Sequence, residues 1–219
     1  MGEEKTLYLV RHCQDLPTDD LDQERAAKAS LTSVGRRQAR ALARYLRARG
    51  VESIYSSVFE RSKETGRIIY THTGGVFSFD ERLNEQVLAR TLLKGHEAKS
   101  IKRRMLEDPH FVPDGGQSLA QSIEQFLFFL DEICHSPHRH ICVVSHGFLM
   151  QAALRRRFQL SETPQLQEGS VTIIVYRHGQ MRLSEVNVRP YFMPRAEEKM
   201  RSVLDSIRKK FRGSSQTAS

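Results

Sequence analysis

The chain has 219 residues, of which 39% are hydrophobic and 27% charged, a balance that excludes wholesale disorder and suits one α/β domain with a sizeable core. Lys and Arg number 34 against 26 Asp and Glu, so the net charge of +8 favours anionic ligands without choosing among phosphorylated molecules, nucleic acid and acidic membranes. Three cysteines, Cys13, Cys134 and Cys142, without a C-x-x-C pair, write neither a disulfide framework nor a zinc site, and a reducing, cytoplasmic setting is expected.

Leu7-Tyr8-Leu9-Val10 is an apolar, β-prone run that delivers Arg11 and His12 to its carboxyl end. This apolar stretch ending at Arg11 is too short for a secretory h-region, and no run is long enough to span a membrane. Asp15 to Ser30 is acid-rich and aperiodic, which predicts a loop with at most a turn of helix. Val34, Leu42, Tyr45 and Leu46 recur at helical spacing up to Gly50. A short strand at Ile54-Tyr55-Ser56-Ser57, a helix from Glu60 to Tyr70 and a strand at Val76-Phe77-Ser78-Phe79 follow. A basic, helix-forming insertion is expected at about 86–116, carrying Lys94, Lys99, Lys102, Arg103 and Arg104. Ser118 to Ile133 predicts a helix, Ile141-Cys142-Val143-Val144 a central parallel strand, Phe148 to Phe158 a helix, and Val171 to Val188 a hairpin turning near Gly179. Alternating strands and helices imply a three-layer α/β/α fold with a mainly parallel central sheet and an antiparallel edge.

Three strand-to-loop junctions carry the chemistry. Arg11-His12 ends the first strand, Ser145-His146-Gly147 ends a late one, and Ser56-Ser57 precedes Arg61 on a helix. If those strands are neighbours, two imidazoles and two guanidiniums meet at the carboxyl edge of the sheet, where open α/β sheets bind ligands. Planar guanidinium forks grip phosphate oxygens, so the set suits a tetrahedral dianion.

These residues stand in motifs. Leu9-Val10-Arg11-His12-Cys13, Leu31-Thr32-x-x-Gly35-x-x-Gln38-Ala39, Ser56-Ser57-x-x-x-Arg61-x-x-x-Thr65, Leu83-x-Glu85, Gly116-Gln117-Ser118 and Val144-Ser145-His146-Gly147 occur in that order over about the first four-fifths of the chain. Taken together they resemble the histidine phosphatase superfamily, the phosphoglycerate-mutase-like family, in its phosphatase rather than mutase branch. The resemblance implies a phosphoglycerate-mutase-like fold over 1–194 and a phosphohydrolase acting on a phosphomonoester or phosphohistidine through a phosphohistidine intermediate. It implies His12 as nucleophile, Glu85 as general acid, and Arg11, Arg61, His146 and Gly147 around the phosphate, with Thr18 a further candidate for phosphate contact. No metal or other cofactor is implied, and the partner is a phosphorylated small molecule or phosphoprotein. Chemically, a neutral imidazole is a competent nucleophile near neutrality, and positioned cations, here including a protonated His146, would stabilise the transferring group.

Two departures shape the expectation. Arg82-Leu83-Asn84-Glu85 is followed by Gln86-Val87-Leu88, not by the Arg-His-Tyr of phosphoglycerate mutases, so mutase activity is not expected. Cys13 occupies the place of the family's glycine after the nucleophile, which favours an alternative function as a non-catalytic module that holds phosphate or a phosphoprotein. Cys13 itself reads as a buried small hydrophobe more readily than as a redox-sensitive thiol.

The remaining features read blandly. His135, His138 and His140 read as a solvated loop and not as a metal site, because no acid or thiolate completes them. Arg36, Arg40, Arg44 and Arg47 form a solvated helical stripe without the interleaved aromatics of a strand-stacking nucleic-acid binder, so nucleic acid is not an expected partner. A basic amphipathic helix is expected at 195–212, suited to packing on its own domain and, as the lesser reading, to an anionic membrane or a partner. Residues 213–219 are expected to be disordered.

Overall fold

The computed structural model describes residues 4–17, 23–85, 95–113 and 116–192. Thr18, the start of the basic insertion at 86–94, the expected helix at 195–212 and the tail at 213–219 lie outside the described residues. The apolar runs become strands β1 (Lys5–Arg11), β2 (Ser53–Ser56), β3 (Val76–Phe79) and β4 (His140–Ser145), followed by the hairpin of β5 (Val171–Arg177) and β6 (Gln180–Val188). They form one six-stranded sheet in the order β3-β2-β4-β1-β5-β6. Pairs β2–β3, β2–β4 and β1–β4 are parallel, while β1–β5 and β5–β6 are antiparallel. The sheet is therefore mainly parallel with an antiparallel edge.

The helices are α1 (Gln23–Ala27), α2 (Ser33–Arg47), α3 (Glu60–Thr73), α4 (Gly95–Glu107), α5 (Leu119–Ile133) and α6 (Gly147–Phe158). The segment read as a loop thus contains the short α1. Within the basic insertion, Gly95 to Glu107 is helical as its composition predicts. Two 3-10 turns, at Glu81–Leu83 and Pro190–Phe192, had no periodic signal to betray them.

Side-chain alternation explains why the central strands are apolar throughout. Leu7 and Leu9 of β1 with Ile141 and Val143 of β4 face one core, shared with Phe126 and Phe129 of α5 and Leu149 and Ala153 of α6. Tyr8 and Val10 with Cys142 and Val144 face the opposite core, shared with Leu42 and Tyr45 of α2 and Ile69 of α3. Successive residues of a strand point to opposite faces, so a strand covered on both sides must be apolar at every position. This produces the three layers. None of the described helices is long and apolar enough to cross a membrane.

Helix starts fix loops near the sheet's carboxyl edge. Thr32 caps α2 by accepting the Gly35 N–H at 3.0 Å and donates to the Gln14 side chain at 2.7 Å. Ser118 and Gln121 form a capping box at the start of α5. Gly35 is required where the loop after β1 crosses α2, because a Cβ there would stand 2.0 Å from the Gln14 carbonyl oxygen. Gly35→Ala should therefore destabilise the fold by about 1–3 kcal/mol through backbone displacement, read as a lowered urea midpoint.

Candidate active site

Parallel pairing brings the predicted junctions together. Arg11 is in register with Ser145 on β4, the His12 N–H donates to the Ser145 carbonyl at 2.9 Å, and the Ser57 N–H donates to the Val144 carbonyl at 3.0 Å. His12, Arg61 and His146 are buried, and the two imidazole rings lie 5.1 Å apart.

Hydrogen bonds assign the His12 tautomer. Nδ1 lies 2.9 Å from the Cys13 carbonyl oxygen, which can only accept, so Nδ1 carries the proton and Nε2 the lone pair. Arg61 Nε donates to that Nε2 at 3.3 Å. Burial first, then the Arg61 charge, pushes the His12 pKa well below its ordinary value and favours the neutral ring. Nε2 is thus kept unprotonated, as a nucleophilic nitrogen must be.

His146 is oriented by a chain of polar side chains. Ser57 Oγ donates its only proton to Asn84 Oδ1 at 2.8 Å, so the 2.8 Å contact between Ser57 Oγ and His146 Nε2 is donated by His146. Asn84 Oδ1 also accepts the Val58 N–H at 3.0 Å. His146 Nδ1 therefore holds a lone pair, and it is buried without a hydrogen-bond partner among the described residues. The protonated His146 expected from the sequence is disfavoured: burial, then Arg61, His12 and Arg11, push its pKa well below the ordinary value. A ring enclosed among positive charges resists a further proton.

The guanidiniums are held from behind. Arg61 Nη1 donates to the Ala26 carbonyl at 2.8 Å, and Asp15 Oδ2 stands 3.6 Å from Arg61 Nε. Arg11 Nη1 donates to the Leu166 carbonyl at 2.7 Å, and Glu168 Oε1 lies 3.6 Å from Arg11 Nη2. Burial raises the pKa of both carboxyls, opposed chiefly by Arg61 at Asp15 and by Arg11 at Glu168. Arg11 Nε is buried without a partner among the described residues. Gly147 permits this placement, since a Cβ there would come within 3.0 Å of Arg11 Nε. An unpartnered guanidinium N–H and an imidazole nitrogen that becomes a donor on protonation both fit phosphoryl oxygens.

Glu85 reaches the same region. Ser145 Oγ donates to the Leu83 carbonyl at 2.8 Å and pins the preceding turn, and Glu85 Oε1 accepts the Leu149 N–H at 3.2 Å in the first turn of α6. The structure thus gathers Arg11, His12, Arg61, Glu85, His146 and Gly147 about the carboxyl ends of β1, β2 and β4. Cys13 is buried away from solvent, its N–H donating to Thr65 Oγ1 at 3.1 Å, and burial pushes its thiol pKa strongly upward. Its φ is not positive, so the place of the family's glycine takes a side chain without backbone strain. Sequence reading missed Asp15, Asn84 and Glu168. Asp15 was detectable only as an acid three positions beyond His12, whereas Glu168 meets Arg11 across most of the chain.

The chain matches the model of the histidine phosphatase superfamily (branch 1) over residues 7–189. It belongs to that family. Among sequence relatives, a protein described as phosphoserine phosphatase 2 of Hydrogenobacter thermophilus is 29% identical over 157 residues, covering 68% of this chain and 76% of that protein. The fold is similar to that of YhfR of Bacillus stearothermophilus, with a TM-score of 0.72, 24% identity and coverage of 85% and 99% of the two chains. It is also similar to a mycobacterial glucosyl-3-phosphoglycerate phosphatase solved with inorganic phosphate, with a TM-score of 0.70, 24% identity and coverage of 86% and 100%. Family membership, with a phosphatase among its relatives, supports a phosphohydrolase.

In this member of the family the depressed imidazole pKa values set the sign of a stability effect. Unfolding restores ordinary affinity for protons, so the unfolded chain binds more protons below about pH 6.5 and stability falls as pH drops through and below that value. The variant with both His12→Ala and His146→Ala should lose part of this acid sensitivity, by up to about 1.4 kcal/mol per pH unit for each imidazole removed, read from urea unfolding between pH 7 and pH 5.

Proposed function

We propose that this protein hydrolyses phosphomonoesters or phosphohistidine through a phosphohistidine formed on His12. The observation that carries the reading is the His12 tautomer: Nδ1–H is tied to the Cys13 carbonyl while Nε2 presents its lone pair beside Arg61. Phosphoryl oxygens lie between Arg11, Arg61 and His146. The incoming dianion offsets the positive field at His146 and lets Nδ1 take a proton from solvent and keep it, donating a hydrogen bond to a phosphoryl oxygen. His12 Nε2 attacks phosphorus, the bond to the leaving oxygen breaks, and Glu85 gives that oxygen its proton. Water then attacks the phosphohistidine as Glu85 removes its proton, and inorganic phosphate leaves with His12 restored.

Arg11 and Arg61 spread the charge that accumulates on the equatorial oxygens, so the reaction proceeds without a metal. The substrate is a phosphorylated small molecule, in keeping with the names borne by the phosphatase relatives, or else a phosphoprotein. The non-catalytic reading rested on Cys13, and its unstrained, buried placement withdraws that support.

Wild type should release inorganic phosphate from a panel of phosphomonoesters and a phosphohistidine peptide in the presence of a chelator. His12→Ala should lower turnover by about 10³-fold or more, and Arg61→Ala by about 10²–10³-fold. A folded wild type without turnover that still binds phosphate would identify a phosphate-binding module, and loss of turnover on chelation would refute the metal-free route.

A further inference from the structure

Asn84 follows the turn at Glu81–Leu83, its N–H donating to the Glu81 carbonyl at 3.0 Å. Its side chain faces two donors. The Val58 N–H, 3.0 Å away, is a backbone group that can only donate, so the amide atom meeting it is Oδ1 and the amide cannot flip. With that oxygen fixed, the Ser57 hydroxyl, 2.8 Å from the same Oδ1, directs its proton there. Its lone pairs then face the Phe59 N–H at 3.2 Å and His146 Nε2 at 2.8 Å. A hydroxyl so committed can only accept from the ring, which leaves His146 its proton on Nε2 and its lone pair on Nδ1. Ser62 Oγ, 3.3 Å from the same Nε2, makes a longer and weaker contact that does not reverse this. One backbone N–H thus sets an amide, a hydroxyl and an imidazole in turn.

This tautomer is the unfavourable one for receiving an anion. A bare Nδ1 sets its lone pair against an anionic oxygen, whereas the opposite tautomer would offer an N–H without any further proton. We propose that Asn84 is a positioning residue that, acting through Ser57, makes the binding of a tetrahedral dianion in this pocket conditional on proton uptake by His146. The proposal rests on the placement of the phosphoryl group between Arg11, Arg61 and His146 given above, and not on hydrolysis. The charges around the ring suit such a link. Arg61 from α3, His12 and Arg11 from the end of β1 and Lys102 from α4 act on His146, and Glu85 reaches the start of α6, where it accepts the Leu149 N–H. Burial and these positive groups keep the free ring neutral, and a dianion reverses the balance by bringing negative charge against Nδ1. Binding then carries a proton from solvent onto Nδ1, and no other bond forms or breaks.

Inorganic sulfate is the probe, a tetrahedral dianion that itself takes up no proton near neutrality. Calorimetric titration of wild type and Asn84→Leu with sulfate, in buffers of different ionisation heat, counts the protons taken up on binding. Wild type should take up about one proton more than Asn84→Leu, and its sulfate Kd should rise by about tenfold more per pH unit. In Asn84→Leu the Ser57 hydroxyl is free to donate to Nε2, so the ring carries its proton on Nδ1 and receives sulfate as it stands. Protons taken up by His12, Asp15, Glu85 or Glu168 are common to both proteins and cancel in the difference. A residue that merely pinned the Val58 loop would alter affinity and leave the proton count unchanged. Nitrogen-15 NMR of the free proteins should find the His146 proton on Nε2 in wild type and in Asn84→Asp, whose carboxylate accepts from the same two donors, and on Nδ1 in Asn84→Leu. Equal proton counts in wild type and Asn84→Leu overturn the proposal. If Asn84→Leu does not fold, wild type binding sulfate without proton uptake, or a free wild-type ring protonated on Nδ1, overturns it. Sulfate binding that phosphate does not displace would remove the phosphate pocket and the proposal with it. Proton-linked binding that phosphate displaces, in a wild type that hydrolyses nothing, would refute the phosphohydrolase reading and leave the proposal standing.

Discussion

The site is organised around one buried charge. Arg61 is 7% exposed, and burial opposes its ionisation, so the fold must support the guanidinium from several sides. Ala26 accepts from Nη1, Asp15 stands beside Nε, and His12 Nε2 accepts from that same Nε. These contacts have chemical consequences. A guanidinium cannot accept a proton, so its N–H directed at His12 Nε2 requires a lone pair there. Burial first, and then the Arg61 field, keeps His146 neutral, reserving that ring's proton uptake for an incoming anion. One arginine thus connects the stability of the pocket with the reactivity of its nucleophile.

The amino end of α6 is the second organising feature. His146 precedes the helix, Gly147 leaves room for the Arg11 side chain, Phe148 meets Lys102, and the Leu149 N–H anchors Glu85. Three consecutive residues, Gly147, Phe148 and Leu149, therefore serve three different groups. A helix start concentrates unpaired N–H donors and positive potential, which makes it a natural meeting place for a carboxylate and a phosphoryl group. Around it, two of the motif residues are structural supports: Thr65 accepts the Cys13 N–H and donates to the Arg61 carbonyl, and Gln38 accepts the Gln14 N–H. They hold the loop after β1 so that His12 and Arg61 keep their relative placement.

The order of strands and helices, the apolar central strands, and the placing of Arg11, His12, Arg61, His146 and Gly147 at or just after strand ends were legible in the chain, because apolar runs, helical spacing and strand-ending motifs are local signals, whereas Glu85 was marked only by the family resemblance. The sequence by itself also determined the membership implied by the ordered motifs, which the family match over residues 7–189 supports. The tertiary structure alone decided the protonation pattern. His146 read as a cation from its residue type, yet burial among Arg61, His12 and Arg11 makes it neutral, and no local pattern encodes that desolvation. The same holds for Asp15 and Glu168, whose proximity to Arg61 and Arg11 arises from packing of distant segments. Cys13 shows the converse: its type suggested a disturbed site, but only the backbone and its buried surroundings show that the side chain is accommodated. Local pattern specifies which groups arrive at the sheet edge; the field they create depends on distances that exist only once the strands have paired.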